Sequence, residues 1–216
     1  MLDEIVVAAT ANRIEILPSF DSVAWSVEFS GNVVRRLSII DFQAGTSEDL
    51  DEAMIPRFEA LGYSCRVYDN PIPGCGSVLL ATRIEDASLP TILCYGHGDV
   101  VLGMEGRWQN GRDPWRLSFE GDRVYGRGVA DNKGQHLVHI AAIEAVLKTR
   151  GKLGFNHKFL IEMGEENGSK GLKEVVARNK ADFAADAFFA SDGPRTELSR
   201  PNITLGNRGC CRPRAS

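Results

Sequence analysis

Thr91-Ile92-Leu93-Cys94-Tyr95-Gly96-His97-Gly98-Asp99 is the stretch on which the fold turns. Its first five residues are continuously apolar, without the in-out alternation of a half-solvated strand. That suits a central strand covered on both faces. The run then stops in a glycine-flanked pair of an imidazole and a carboxylate. Upstream, residues 22–37 and 47–61 carry apolar positions at helical spacing. The second has a start in Thr46 or Ser47 ahead of Glu48-Asp49 and a stop at Gly62. Strands are expected at 64–68 and 77–84. Downstream, residues 103–116 are rich in Gly, Trp, Asn and Pro and read as a loop. A hairpin follows around Glu120-Gly-Asp122. Leu137, Val138, Ala141, Ala142, Ala145 and Val146 then recur at i, i+3, i+4 spacing, predicting a helix over 134–148 that ends near Gly151. A strand over 157–163, a helix over 169–178 and a strand over 187–190 complete the alternation. The pattern predicts an α/β three-layer sandwich, with helices on both faces of a mostly parallel mixed sheet.

Bulk properties narrow the function. The chain has 216 residues, 43% hydrophobic and 25% charged, with a formal net charge of -4. Such a composition buries a core and gives no electrostatic case for nucleic acid or an anionic membrane as partner. No apolar run is long enough to span a bilayer. The opening Met1-Leu-Asp-Glu-Ile lacks the basic and apolar regions of a signal peptide. Five cysteines without a Cys-x-x-Cys pair argue against a disulfide framework and a zinc ribbon. Cys65 and Cys94 lie in apolar runs and read as small buried hydrophobes. A cytoplasmic protein is expected.

Chemistry gathers in four polar islands, each near the end of an apolar run or the start of a helix: Gly96-His97-Gly98-Asp99, Gly126-Arg-Gly-Val-Ala-Asp131-Asn-Lys-Gly134, Gly164-Glu165-Glu166-Asn167 and Ser191-Asp192-Gly193. In α/β sheets functional groups collect where strands end and loops begin. Imidazole and carboxylate are the borderline and hard donors of a hydrolytic metal centre. Asp99, two residues from His97, can orient its ring; the bland alternative is a strand cap followed by a turn. The second island fails as a Walker A loop, because Lys133 is followed by Gly134 and Gln135. It fails as a dinucleotide fingerprint too, because Asp131 stands where the third glycine belongs. Asp131 as a simple helix N-cap stays open. Adjacent glutamates point in different directions, so Glu165 and Glu166 can divide two tasks at one site, or form a solvated acidic turn. His136 and His139, at i and i+3, read as helix-face or core residues, and His157 as structural.

The ordered set Gly96-His-Gly-Asp-Val-Val, Tyr125-Gly-Arg-Gly-Val-Ala-Asp-Asn-Lys-Gly, Glu162-Met-Gly-Glu-Glu-Asn-Gly-Ser-Lys-Gly and Ala190-Ser-Asp-Gly resembles the M20 metallopeptidases. These are zinc-dependent dipeptidases, carboxypeptidases and amino-acid N-deacylases. Asp131-Asn-Lys-Gly and Pro201-Asn-Ile-Thr-Leu-Gly-Asn-Arg-Gly lean toward the dipeptidase and carnosinase-like branch. The resemblance implies a zinc-exopeptidase-like fold and two co-catalytic Zn2+ ions, with Co2+ or Mn2+ as alternatives. By motif, His97 is implied as ligand of one metal and Asp131 as the bridging carboxylate. Glu166 is implied as ligand of the second metal and Asp192 as a further ligand of the first. Glu165 is implied as general base and Asp99 as the partner of His97. A cis peptide bond between Asp131 and Asn132 is implied as well. The implied substrate is a dipeptide or an N-acyl amino acid.

Relatives of this type carry a lid or dimerisation domain and a second histidine ligand after the Pro201–Gly209 stretch, and they are often homodimeric. The tail Cys210-Cys-Arg-Pro-Arg-Ala-Ser216 does not continue that pattern. Residues 1–205 are therefore expected to be the N-terminal part of the catalytic domain. Residues 206–216 are expected to be a truncated start of the lid domain or an aberrant tail, with the dimerisation domain missing. The second reading is a catalytically inactive fragment with a binding role; a related α/β aminopeptidase of another family fits the glycine-rich island less well.

Overall fold

A computed structural model describes residues 8–10, 13–15, 50–120, 123–190 and 192–193. The expected helix over 22–37, the start of the helix over 47–61, the hairpin turn at 121–122 and the tail over 206–216 lie outside them. Two short strands, β1 (Ala8–Thr10) and β2 (Arg13–Glu15), pair antiparallel. A π-helical turn, Leu50–Met54, runs into α1 (Ile55–Ala60), whose second residue is Pro56. Proline is tolerated there because the first helical N–H groups have no partner within the helix. Gly62 ends the element at φ 77°, a left-handed conformation that glycine adopts without strain.

The central sheet holds β3 (Ser64–Tyr68), β4 (Val78–Arg83), β5 (Thr91–His97), β8 (Asn156–Glu162) and β9 (Ala187–Ala190). Its order is β3-β4-β8-β5-β9. β4 runs antiparallel to both neighbours, whereas β8, β5 and β9 pair in parallel. This is the mixed, mostly parallel sheet the sequence pattern predicts. β5 is flanked on both sides, and its apolar run lies at the sheet interior as expected. It continues two residues past Tyr95, because Gly96 and His97 stay paired with Ile161 and Glu162 of β8. His97 is thus the last residue of the strand and not the first of the loop. A separate hairpin, β6 (Ser118–Glu120) and β7 (Arg123–Tyr125), pairs antiparallel where the sequence places one.

Helix α2 (Lys133–Arg150) covers one face of the sheet and ends on Gly151, whose N–H donates to the Leu147 carbonyl. Its Ile140 and Ile143 join Leu50, Met54, Phe58, Leu79, Cys94, Phe159 and Ile161 in the main core. Each such aliphatic or aromatic side chain contributes roughly 1.5–3 kcal/mol by leaving water. The opposite face packs Tyr68, Val78, Leu80, Leu93 and Leu160 against α3 (Leu172–Arg178) and α4 (Lys180–Phe183), through Val175 and Phe183. Alternation along β5 therefore sends Cys94 to the α2 face and Leu93 to the α3 face. The ammonium of Lys158, nearly buried in β8, donates to the carbonyls of Asp182 and Ala184 at 2.6 and 2.7 Å. That satisfies orphan carbonyls at the end of α4 and ties it to the sheet. No described helix is long and apolar enough to cross a membrane.

Candidate metal centre

The parallel strands β5, β8 and β9 end on one edge of the sheet, and three of the four islands follow from those ends. The fourth reaches the same place because the turn before α2 crosses close over β5. A side chain at Gly134 would lie 1.9 Å from the Val129 carbonyl oxygen, and one at Gly96 would lie 2.9 Å from His136 Nδ1. Glycine at 96 is what allows this approach, while Gly134 lets the turn fold closely on itself. The N-cap position of α2 is Asn132, without a side-chain cap; Asp131 stands one residue before it and is free for another task. The Asp131–Asn132 peptide bond is cis, as the resemblance implies. Asn132 is wholly buried: its Oδ1 accepts from the His97 N–H at 3.0 Å, and its Nδ2 donates to Asp192 Oδ1 at 2.9 Å. One amide thus fastens the Asp131 turn to both β5 and the end of β9.

His97 is the hub. Its Nε2 lies 3.1 Å from Asp131 Oδ1, 3.8 Å from Asp192 Oδ2 and 3.9 Å from Glu165 Oε2. Its Nδ1 faces the Asp99 carbonyl oxygen at 3.0 Å and Asp99 Oδ1 at 3.3 Å. An Nδ1–H directed at these oxygens turns Nε2 toward the carboxylates, as the nitrogen from which a bound cation would displace a proton. Burial alone would lower the His97 pKa. The Asp99 hydrogen bond and the charges of Asp192 and Asp99 outweigh it and raise the pKa to about 9. The site therefore favours positive charge at the point where the carboxylates converge.

Asp99 has a second task that sequence reading does not show. Its two carboxylate oxygens accept from the backbone N–H groups of Glu165 and Glu166, each at 3.0 Å. Burial pushes its pKa up, but His97 and these two amides outweigh that and hold it below the usual range. One carboxylate hence aligns the ring of His97 and the short 3-10 turn Glu165–Asn167. Of the two glutamates, Glu165 lies beside His97 Nε2. Glu166 enters through its backbone amide, and its own carboxyl is raised by burial and by the charge of Asp131.

Glu162 opens one of the four resembling stretches but carries no assigned role in the sequence reading. It is buried, and its Oε1 accepts from Tyr95 Oη and Ser169 Oγ, both at 2.7 Å. Its carboxyl is held above the usual range, chiefly by burial. Its sequence signal is slight, an acid at the end of a strand that also holds Asn156, His157 and Lys158. His136 is also buried, and burial drives its pKa down to about 3. It packs behind Gly96 and does not join the carboxylate group.

The donor set of one imidazole and several carboxylates fits a zinc-type divalent cation, which would take the place of the proton on His97 Nε2. The description of peptidase family M20/M25/M40 matches residues 93–205, a span that contains all six candidate residues. The Beta-Ala-His dipeptidase of Mus musculus is 37% identical over 144 residues, 65% of this chain and 28% of that protein. The Cysteinylglycine-S-conjugate dipeptidase of Corynebacterium striatum is 32% identical over 169 residues, 77% of this chain and 36% of that protein. Human carnosine dipeptidase 1 superposes with a TM-score of 0.66 at 30% identity, covering 76% of this chain and 38% of that one. The chain spans about a third of the length of these relatives. With more than half of its residues matched, and with the islands in order on one edge of the sheet, the chain belongs to peptidase family M20/M25/M40.

Proposed function

We propose that this chain carries a zinc-binding site for hydrolysis of the amide bond of a dipeptide, with an N-acyl amino acid as the other substrate class. The observation that carries the reading is the convergence of Asp131, Asp192 and Glu165 oxygens on His97 Nε2, within 3.1 to 3.9 Å. His97 and Asp192 would hold one zinc, Asp131 would bridge, and Glu166 would serve a second. When bound, zinc supplies a Lewis acid that polarises the scissile carbonyl and lowers the pKa of water. Glu165 takes a proton from the attacking water and returns it to the leaving amine, as general base and then general acid. Asp99 keeps Glu165 in place through its backbone amide and holds the His97 ring in the ligating tautomer.

The names of the relatives support a dipeptide substrate. The free thiols of Cys65, Cys75 and Cys94 support a reducing, cytoplasmic setting. A small peptide is the partner the site suits, in place of nucleic acid or a membrane.

The test is zinc binding by the 216-residue chain, together with hydrolysis of β-alanyl-histidine and cysteinylglycine. Glu165→Gln should retain zinc yet lose roughly 10²–10⁴-fold in kcat, the usual range for a general base. Undiminished hydrolysis in Glu165→Gln removes the base. Zinc affinity unchanged in His97→Ala removes the site.

A further inference from the structure

A second group of metal-type donors lies on the other face of the sheet, away from the carboxylates. Cys94 of β5, His157 of β8 and His139 of α2 bring one sulfur and two imidazole nitrogens within 4.8 Å of one another. Cys94 Sγ is 3.3 Å from His157 Nε2 and 3.4 Å from His139 Nε2. For scale, tetrahedral zinc holds sulfur at about 2.3 Å and nitrogen at about 2.05 Å, which sets two such donors roughly 3.5 Å apart. The observed spacings therefore need little movement.

The surroundings prepare the donors. Cys94 and His157 are 3% and 1% exposed. The His139 and His157 rings pack on Phe159, and Phe155 meets His157 edge-on. His157 Nδ1 contacts Tyr63 Oη at 2.7 Å, the outer partner that fixes a ligating imidazole. Burial lowers His157 and His139 to about 3 and 4, so both rings are neutral and keep a lone pair. It also raises the Cys94 thiol to about 12, so a thiolate forms there only when a cation replaces its proton.

We infer that Cys94, His139 and His157 form a binding site for a soft monovalent cation, Cu(I), separate from the carboxylate centre. Charge selects the ion. One thiolate and two neutral imidazoles cancel Cu(I) completely, whereas Zn2+ would leave a net positive charge in a group without a carboxylate. Binding is an exchange without redox change: Cu(I) forms a bond to sulfur and the thiol proton leaves to solvent.

The experiment is anaerobic Cu(I) titration of the 216-residue chain against a colorimetric Cu(I) chelator, with X-ray absorption at the copper edge. The native chain should bind one more equivalent than Cys94→Ala, in a shell of one sulfur and two nitrogens. His139→Phe keeps every thiol and matches the aromatic surroundings; it should weaken that equivalent at least tenfold while circular dichroism shows the fold intact. Equal stoichiometry and affinity in the native chain and Cys94→Ala overturns the site. An all-sulfur shell, pointing to the other four cysteines, overturns it too. Zn2+ retained at Cys94 in preference to Cu(I) overturns the charge argument.

Discussion

Two histidine groups sit back to back on the same pair of strands, and their chemistry is opposite. His97 is fully buried, yet its pKa rises to about 9, because burial is outweighed by Asp99 and Asp192. His157 is equally buried and falls to about 3, where burial dominates and His139 adds to it. Burial by itself decides little. What decides is whether the topology delivers carboxylates. At the ends of β5, β8 and β9, loops can bring acids from distant segments without burying them fully. Three residues back along β5, between α2 and the sheet, only apolar side chains and neutral donors fit. One sheet thereby separates hard donors at its edge from soft donors in its core.

The strongest way to break this contrast is to show that the two groups are not independent. His97→Ala should cost zinc affinity more than the roughly 100-fold ceiling typical of an outer partner, and should leave the core melting cooperatively. Cys94→Ala should do the reverse, leaving zinc affinity within about twofold while losing packing worth roughly 1 kcal/mol. Calorimetric zinc titration and urea denaturation of both variants supply the comparison. Loss of zinc in the properly folded Cys94→Ala protein would mean that the two faces communicate.

A smaller effect sharpens the edge site. Asp99 aligns His97 with one hand and the Glu165–Glu166 amides with the other. Asp99→Asn preserves size but can accept fully on only one of its two atoms. Zinc affinity should fall about 10- to 100-fold, as for other partners of ligands. If zinc affinity and the Glu165 turn are unaffected, the carboxylate is dispensable for alignment.

Much of the edge site was legible in the sequence, and the core group was not. Helix α2 announced itself by its spacing and by Gly151, and β5 by its unbroken apolar run. The islands read as donors because glycines isolated them from apolar surroundings. Asp99 betrayed its link to His97, two residues away, but not its bonds to Glu165 and Glu166. Those lie 66 and 67 positions further on, and only the packing of loops creates them. Cys94, His139 and His157 each read singly as core or helix-face residues. Their meeting depends on the β5–β8 register, in which Cys94 pairs with Phe159 and Ile92 with His157, and on where α2 crosses. No local pattern encodes that register. Glu162 failed for the same reason, as its partners Tyr95 and Ser169 come from a neighbouring strand and a later loop.

The mildest expected effect concerns acid. His139 has an ordinary value of 6.5 and a folded value of about 4, set by burial. The unfolded chain therefore binds a proton below 6.5 that the folded chain refuses until about pH 4. Stability from keeping this ring neutral is complete above pH 6.5 and is lost as pH falls through that window. The slope for one such histidine is at most about 1.4 kcal/mol per pH unit. Metal-free protein carrying His139→Leu should consequently gain on the native chain as the buffer is taken from pH 7 to pH 4.5, read by urea denaturation. The gain should be absent above pH 7, where both rings and leucine are uncharged. A difference between the two proteins that stays constant across this range would show that His139 titrates normally. It would then face water, and the core group would lose the neutral, desolvated character that sets it apart from His97.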